Sequence, residues 1–257
     1  MGKLATSQSA WGHDKFGLIE IQLPHPDQEL LPGIEWGFVE EILSPAFWKY
    51  QTQMQRNQKR FIQHKLGQTL KEEVAVCLLG GFGMPAELGI VAFQRLKKKR
   101  LLDGEATAEA IETQLSELFI INGKARKYRF PRQKAKYLAK ALKGLDEGKT
   151  PDQPVALRNY LTTFSGIGPK TASWVVRNHL NTDKVAILDV HIIRAGVNMG
   201  LYDPSNNPTK SYYPMEEKFL AFCAAINEPA SSVDAVMWDM MRRLGRLAIP
   251  KVQPVTA

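Results

Sequence analysis

Apolar residues recur at spacings of three and four along most of the chain, in segments separated by short polar connections. Such spacing is typical of helices that bury one face. The predicted helices, about ten in number, cover approximately residues 35–58 with a break at Pro45, 70–79, 85–102, 107–119, 131–145, 154–163, 169–179, 189–199, 213–226 and 232–247. Apolar and polar side chains alternate over residues 16–23 well enough to predict a short strand. The pattern therefore indicates an all-α fold with a short irregular or β-containing segment at its start.

The N-terminal region has the least regular pattern. Three prolines between residues 24 and 32 interrupt it and predict extended loops. We therefore treat residues 1–65 as an N-terminal extension that is partly helical, residues 66–250 as the main domain and residues 251–257 as a tail. Within the main domain, residues 157–179 are predicted to form two helices joined by a tight turn.

The composition is that of an ordinary globular protein, with 44% hydrophobic and 23% charged positions among 257 residues. Its formal net charge of +8 favours an anionic partner. The two cysteines, Cys77 and Cys223, exclude a disulfide framework and a four-cysteine zinc or iron–sulfur site, and we expect both thiols to be buried. No stretch reaches the ~20 apolar residues of a membrane span, and the first residues lack the apolar core of a signal peptide. We therefore expect a cytoplasmic protein without a membrane partner.

Residues 124–143 contain nine basic side chains and no acidic one. Three aromatic residues, Tyr128, Phe130 and Tyr137, lie among these cations. The stretch predicts either a surface that meets phosphates and sugars or a solvated helix face, and the sequence leaves both open. A second cluster at 97–100 lies at a predicted helix end, where cations offset the helix dipole.

Gly166-Ile167-Gly168 forms the turn of the predicted helix-turn-helix hairpin, and Pro169 occupies a favoured first helical position. Two glycines around one apolar residue allow main-chain N–H groups to point outward together while Ile167 packs between the helices. Such groups at a helix N-terminus can hold a phosphate. A helix-helix turn without any ligand requires glycine as well, so the turn alone does not decide the function.

Lys170 lies in the first helical turn after the hairpin, where the helix dipole disfavours a cation. A lysine at this position is either exposed and without a role or acts as an amine, because such a place favours the free base that a nucleophile requires. Asp189 follows an apolar run and starts the next predicted helix. It can act as an N-cap, or as the carboxylate that accepts a proton and stabilises a cationic sugar.

Gly166-Ile-Gly-Pro-Lys170 followed by Ile187-Leu-Asp189-Val-His191 resembles the helix-hairpin-helix (HhH-GPD) DNA glycosylases of base excision repair. Three further stretches resemble the 8-oxoguanine DNA glycosylase/AP lyases, in particular their compact archaeal and bacterial branch: residues 128–137, 176–178 and 233–238. The resemblance covers about residues 70 to 247. It implies two helical subdomains with the active-site cleft between them, in a monomer that acts on double-stranded DNA containing a modified base.

By this resemblance, Lys170 is the amine that attacks the sugar and then allows β-elimination, and Asp189 is the essential carboxylate. Main-chain groups around Gly166 and Gly168 hold the DNA backbone. No cofactor and no metal held by side chains is implied, although K⁺ or Na⁺ on hairpin carbonyls near Gly166 belongs to the family pattern.

Other positions receive roles in the same way. His191 matches a position next to the phosphate of the extruded nucleotide, with a histidine bonded inside a helix N-terminus as the alternative. Trp238 matches an aromatic residue that stacks on the extruded base, with core packing as its alternative. The remaining candidates are DNA contacts at Thr171, Arg129 and Lys134, and pocket or wedge residues in the glycine-rich loop at Phe82 and Met84.

The resemblance is weakest where the base is read. The compact branch reads the oxidised purine with a terminal lysine, but Leu247 stands near that place here. We expect excision of 8-oxoguanine, with a different modified base, such as one in foreign DNA, as the alternative. A non-catalytic module that binds only the DNA backbone is a third interpretation, but pure binding requires neither Lys170 nor Asp189.

Overall fold

The computed structural model describes residues 7–58, 65–81, 83–103 and 105–245. Its helices are α1 Pro45–Asn57, α2 Leu70–Leu79, α3 Ala86–Lys98, α4 Ala108–Ser116, α5 Pro131–Glu147, α6 Pro154–Leu161, α7 Pro169–Leu180, α8 Val190–Asn198, α9 Pro208–Ala225 and α10 Ala230–Leu244. Its short strands are β1 Ser7–Asp14, β2 Gly17–Pro24, β3 Glu29–Leu31, β4 Ile34–Glu35, β5 Phe119–Ile121 and β6 Lys124–Arg126. The all-α prediction with a β-containing N-terminal segment is confirmed. None of the described helices is both long and apolar enough to cross a bilayer.

The described chain divides into two compact units. The first, which we name the terminal unit, joins residues 7–58 to residues 186–245, and the second, the central unit, runs from 65 to 185. Each has its own buried apolar core. The N-terminal segment thus contributes to the same core as α8, α9 and α10.

The terminal unit begins with two antiparallel hairpins, β1–β2 and β3–β4. Ala10, Ile21 and Leu23 from the first hairpin enter the core, and α1 packs against α10. The strand predicted at 16–23 is confirmed as β2, whereas β1 was not predicted. The predicted helical stretch at 35–44 is wrong, because Gly37 and Leu43 have positive φ and break a helix there.

Helix α1 instead begins at Pro45, where the Ser44 side chain accepts a hydrogen bond from the Phe47 N–H at 3.0 Å. The start predicted for α9, at 213, is also wrong. That helix begins at Pro208 behind the Asn207 cap and is kinked at Ser211. In both cases the cap residue, rather than the apolar spacing, sets the boundary.

The central unit contains α2 to α7 and the β5–β6 hairpin. The sequence predicts a helix through residue 119 with Asn122-Gly123 as its end, but α4 ends at Ser116 and a two-residue hairpin turn follows. Asn122 and Gly123 have φ of 50° and 72°. Two successive positive φ angles belong to the tight hairpin turn that Asn-Gly favours.

A buried carboxylate links three segments of the central unit. Glu73 of α2 is fully buried and accepts hydrogen bonds from the Gly67 N–H at 2.8 Å and from Asn178 Nδ2 at 2.6 Å. The Cys77 thiol also contacts this carboxylate, and burial followed by the negative charge of Glu73 raises the pKa of the thiol. Both cysteines are buried, as predicted. This network fixes the C-terminal end of α7 to α2.

Candidate active site

The turn between α6 and α7, which we name the αα-turn, has the conformation that its two glycines predict. Gly166 has φ +87°, and Ile167 is 3% exposed in the core of the central unit. Helix α7 starts at Pro169 after the N-cap Gly168, which provides no side-chain hydrogen bond. The first N–H groups of α7 therefore lack a side-chain acceptor at the cap, an arrangement suited to binding an anion.

The two glycines differ in what surrounds them. A methyl group added at Gly166 would collide with the ring of Tyr137 from α5, in addition to occupying a strained φ. A methyl group added at Gly168 meets no atom within 4 Å. Gly166 thus allows α5 to pack against the turn, whereas Gly168 keeps the space in front of α7 open.

We expect Gly166→Ala to lower the free energy of unfolding by about 3 kcal/mol or more, from backbone strain and overpacking against Tyr137. Gly168→Ala is the matched control, and it should change stability by less than about 1 kcal/mol because its φ is −86° and the space is empty. Urea denaturation of both variants tests this. Equal stabilities would show that the turn adjusts to a side chain at Gly166.

Lys170 is the second residue of α7 and is partly exposed. No carboxylate pairs with its ammonium among the described residues, and the first turn of α7 contains no acidic side chain. Other lysines of the same unit do have partners, such as Lys97 with Glu72 at 2.9 Å. The amine of Lys170 therefore lies at the positive end of a helix without a structural ion pair.

Lys134 lies near this amine but faces the protein. Its Nζ donates a hydrogen bond to the main-chain oxygen of Leu78, at the end of α2, at 2.6 Å. Burial lowers the pKa of Lys134, and the positive charge of Lys170 lowers it further. At least one of its three donors is thus used inside the central unit, and its predicted contact to DNA stays a prediction.

Asp189 in the terminal unit is an N-cap, as one of its two interpretations predicts. Its Oδ1 accepts hydrogen bonds from the N–H groups of His191 at 2.8 Å and Ile192 at 3.1 Å. The preceding segment is fixed by Tyr212, whose hydroxyl donates to the Ala186 oxygen at 2.7 Å. The second carboxylate oxygen, Oδ2, has no hydrogen-bond partner in the described structure and is available for other chemistry.

His191 and Trp238 lie together in the terminal unit. Their rings meet edge to face, with centroids 6.4 Å apart, and the buried Nδ1 of His191 has no hydrogen-bond partner among the described atoms. Trp238 packs against the core of this unit while the Arg242 guanidinium lies 4.8 Å from its ring centroid. Arg242 lies four residues after Trp238 on the same helix face, a spacing from which this contact can be predicted.

The remaining candidates are distributed over the central unit. Thr171 lies beside Lys170 in the first turn of α7 and is partly exposed. Met84 packs partly against the core, and Arg129 is exposed close to Gly83. Phe82 lies outside the described residues. Within the described residues, no group of three or more histidine, cysteine or acidic side chains is arranged to hold a metal ion.

A family model described as 8-oxoguanine DNA glycosylase, Ogg-HhH, matches residues 52–228. The chain belongs to this family. The matched region includes the αα-turn, Lys170, Asp189 and His191, and it ends before Trp238.

Individual relatives agree with the family. An 8-oxoguanine DNA glycosylase/AP lyase of Fusobacterium nucleatum is 28% identical in an alignment of 153 residues, and the match covers 51% of this chain and 69% of that protein. The 8-oxoguanine DNA glycosylase of Thermotoga maritima superimposes with a TM-score of 0.57 at 25% identity, covering 76% of this chain and 95% of that one. That of Methanocaldococcus jannaschii gives 0.58 at 22% identity, covering 76% and 92%, and shares the fold.

Proposed function

We propose that this protein is a bifunctional DNA glycosylase/AP lyase that removes an oxidised purine, 8-oxoguanine, from duplex DNA. The observation that carries the proposal is the unpaired amine of Lys170 at the start of α7, beside an uncapped helix N-terminus, in a chain of the 8-oxoguanine DNA glycosylase family. Because its proposed substrate is cellular DNA, we expect a cytoplasmic protein that acts as a monomer.

Lys170 supplies the nucleophile. The lone pair of its Nζ, as the free amine, forms a bond to C1′ of the deoxyribose while the glycosidic bond breaks and the base leaves with the bonding electrons. Loss of a proton from the new amine and opening of the sugar give an imine between lysine and C1′. Removal of a proton from C2′ then expels the 3′ phosphate by β-elimination, which nicks the strand.

Asp189 supplies the carboxylate. With Oδ1 held by two main-chain N–H groups, Oδ2 keeps a fixed direction without rotating away. A negative oxygen suits the stabilisation of the cationic sugar as the glycosidic bond lengthens. The N-cap and the catalytic role are thus compatible, because they use different oxygens.

The αα-turn supplies the contacts to the DNA backbone. The N–H groups at the start of α7 and the hydroxyl of Thr171 suit a phosphate, and His191 offers an unpaired ring nitrogen in the terminal unit. The main-chain oxygens around Gly166 fit a K⁺ or Na⁺ ion chemically, because the carbonyls of Ser165, Gly166 and Ile167 accept no main-chain N–H in the described structure. Such an ion would add positive charge next to the phosphate.

The base itself requires a pocket outside the duplex. Extrusion costs a few kcal/mol of stacking, which an aromatic platform offsets, and Trp238 of the terminal unit is our candidate for that platform. A different modified base is the second candidate substrate. It is favoured by one observation, that the family match ends at 228 and leaves Trp238 and Arg242 outside.

Duplexes of one sequence, each with a single altered base, test the proposal when they are incubated with the protein and scored for strand nicking. With borohydride present, the 8-oxoguanine duplex should give a covalent protein–DNA adduct that resists denaturation. If only a duplex with another modified base is nicked, that base and not 8-oxoguanine is the substrate. If no duplex is nicked and none forms an adduct, the protein is a non-catalytic module that only binds the DNA backbone.

A further inference from the structure

Helix α10 presents an aromatic ring and a guanidinium side by side in the terminal unit. Trp238 and Arg242 lie about one helical turn apart, so their side chains share one face of the helix. The guanidinium carbon of Arg242 lies 4.8 Å from the centroid of the Trp238 ring. The indole is partly buried and packs against the core of the unit. The ring is thereby fixed in place, with a cation over it.

This pair is connected to the proposed catalytic carboxylate within the same unit. The N–H of His191 donates to Asp189 Oδ1 at 2.8 Å, and the ring of His191 meets that of Trp238 edge to face. A base whose sugar lies at Asp189 therefore has Trp238 as a neighbouring aromatic ring and Arg242 as the cation next to that ring.

The guanidinium of Arg242 is only weakly engaged in the described structure. Its side chain is 53% exposed, and its separation from Asp239 Oδ1, 3.7 Å, is longer than a hydrogen bond. The neighbouring Arg243 holds the other oxygen of the same carboxylate at 2.6 Å. The N–H donors of Arg242 are therefore available to a ligand, and its side chain can move away from the indole ring.

A guanidinium distinguishes bases by the acceptors that they present. It has N–H donors and no acceptor, and arginine in DNA-binding proteins pairs with guanine through O6 and N7. 8-Oxoguanine keeps O6 but carries a hydrogen on N7, so O6 is the acceptor left on that part of its edge. An adenine-type base presents an amino group at the same carbon, and two donors would then oppose each other.

We infer that Arg242 is a specificity-determining residue, which donates a hydrogen bond to O6 of the extruded base while that base stacks on Trp238. The inference rests on the proposed function, since the base must first leave the duplex. In the free protein the guanidinium lies over the ring. An entering base takes this place, and the exposed side chain moves to the edge of the base. Arg242 thus selects guanine-type over adenine-type oxidised purines.

The test compares Arg242→Met with Arg243→Met. Methionine keeps an apolar stem and removes every donor, and the control loses the same charge from the adjacent residue, which pairs with Asp239. Matched duplexes contain 8-oxoguanine, 8-oxoadenine or an abasic site, and base excision or strand nicking is measured in single turnovers. Arg242→Met should slow 8-oxoguanine excision by about 10- to 100-fold. Abasic-site nicking and any excision of 8-oxoadenine should stay within about twofold of wild type, as should all three reactions of the control.

Several results would overturn the inference. If Arg242→Met loses abasic-site nicking to the same extent, the residue supports the fold or the DNA backbone rather than the base. Equal losses in Arg243→Met would reduce the effect to net charge, and equal losses on both oxidised purines would exclude O6 as the acceptor.

Failure of the proposed function is seen separately, in the wild-type protein. If wild type excises no base, equilibrium binding of the same three duplexes replaces the rates. Arg242→Met should then bind the 8-oxoguanine duplex about tenfold more weakly and the other two duplexes unchanged. An unaltered preference in Arg242→Met, or equal affinities of the wild type for all three duplexes, would contradict the role of Arg242.

Discussion

Lys170→Gln should abolish the borohydride-trapped adduct with 8-oxoguanine duplex and reduce base excision by about a thousandfold or more. Glutamine keeps a polar side chain of similar reach but has no nucleophilic amine, so neither the bond to C1′ nor the imine can form. Lys170 makes no ion pair in the described structure, so the substitution should leave the free energy of unfolding nearly unchanged. The measurements are gel analysis of the adduct and single-turnover excision.

The matched control is Lys184→Gln, which removes one exposed lysine of the same unit outside α7 and should retain the adduct. An adduct that persists in Lys170→Gln would show that another amine attacks the sugar. If excision stays at the wild-type rate but nicking is lost, a water molecule rather than lysine displaces the base, and Lys170 serves only the strand-nicking step.

Asp189→Asn should lower excision by about 10²- to 10⁴-fold while duplex binding and stability stay close to wild type. Asparagine is as good an N-cap as aspartate, because its side-chain oxygen can still accept the hydrogen bonds from the N–H groups of His191 and Ile192. What it removes is the negative charge at Oδ2. Single-turnover rates, a binding isotherm and a urea titration separate these effects.

Asp189→Ala provides the comparison, since it removes the cap as well as the charge. It should lose the same activity and, in addition, about 1 kcal/mol of stability. If Asp189→Asn turns over like wild type, the carboxylate is only a cap. If the asparagine variant is as destabilised as the alanine variant, the loss of activity cannot be assigned to the charge.

Most of the helical fold could be predicted because its signals are local. Apolar spacing and the prolines at 131, 154 and 169 predict α5, α6 and α7 where the structure has them. Segments without a clear period were harder. The apolar spacing before Asn122-Gly123 predicts a helix end there, although flanking apolar residues also make this dipeptide a hairpin signal. Strand β1 is recognisable only from its pairing with β2.

The candidate site shows the same limit. Gly166, Gly168 and the cap at Asp189 follow from local conformation and could be predicted. Which basic side chains face the protein could not be predicted, because Lys134 donates to the Leu78 oxygen across a sequence separation of 56 residues. The orphan Nδ1 of His191 likewise depends on which atoms surround it in the folded chain.

Helix α7 is supported unequally at its two ends. Near its C-terminus, Asn178 is 7% exposed and bonded to the fully buried Glu73, whereas its N-terminus has neither a side-chain cap nor a carboxylate neighbour in the first turn. Side-chain hydrogen bonds thus anchor the C-terminal end of the helix and leave its first N–H groups without a side-chain acceptor. These polar contacts lie about 12 Å from the amine of Lys170, and the fully buried Ala172 and Val175 hold the first half of the helix in the core. The proposed nucleophile can therefore lack a structural ion pair without loosening the helix that positions it.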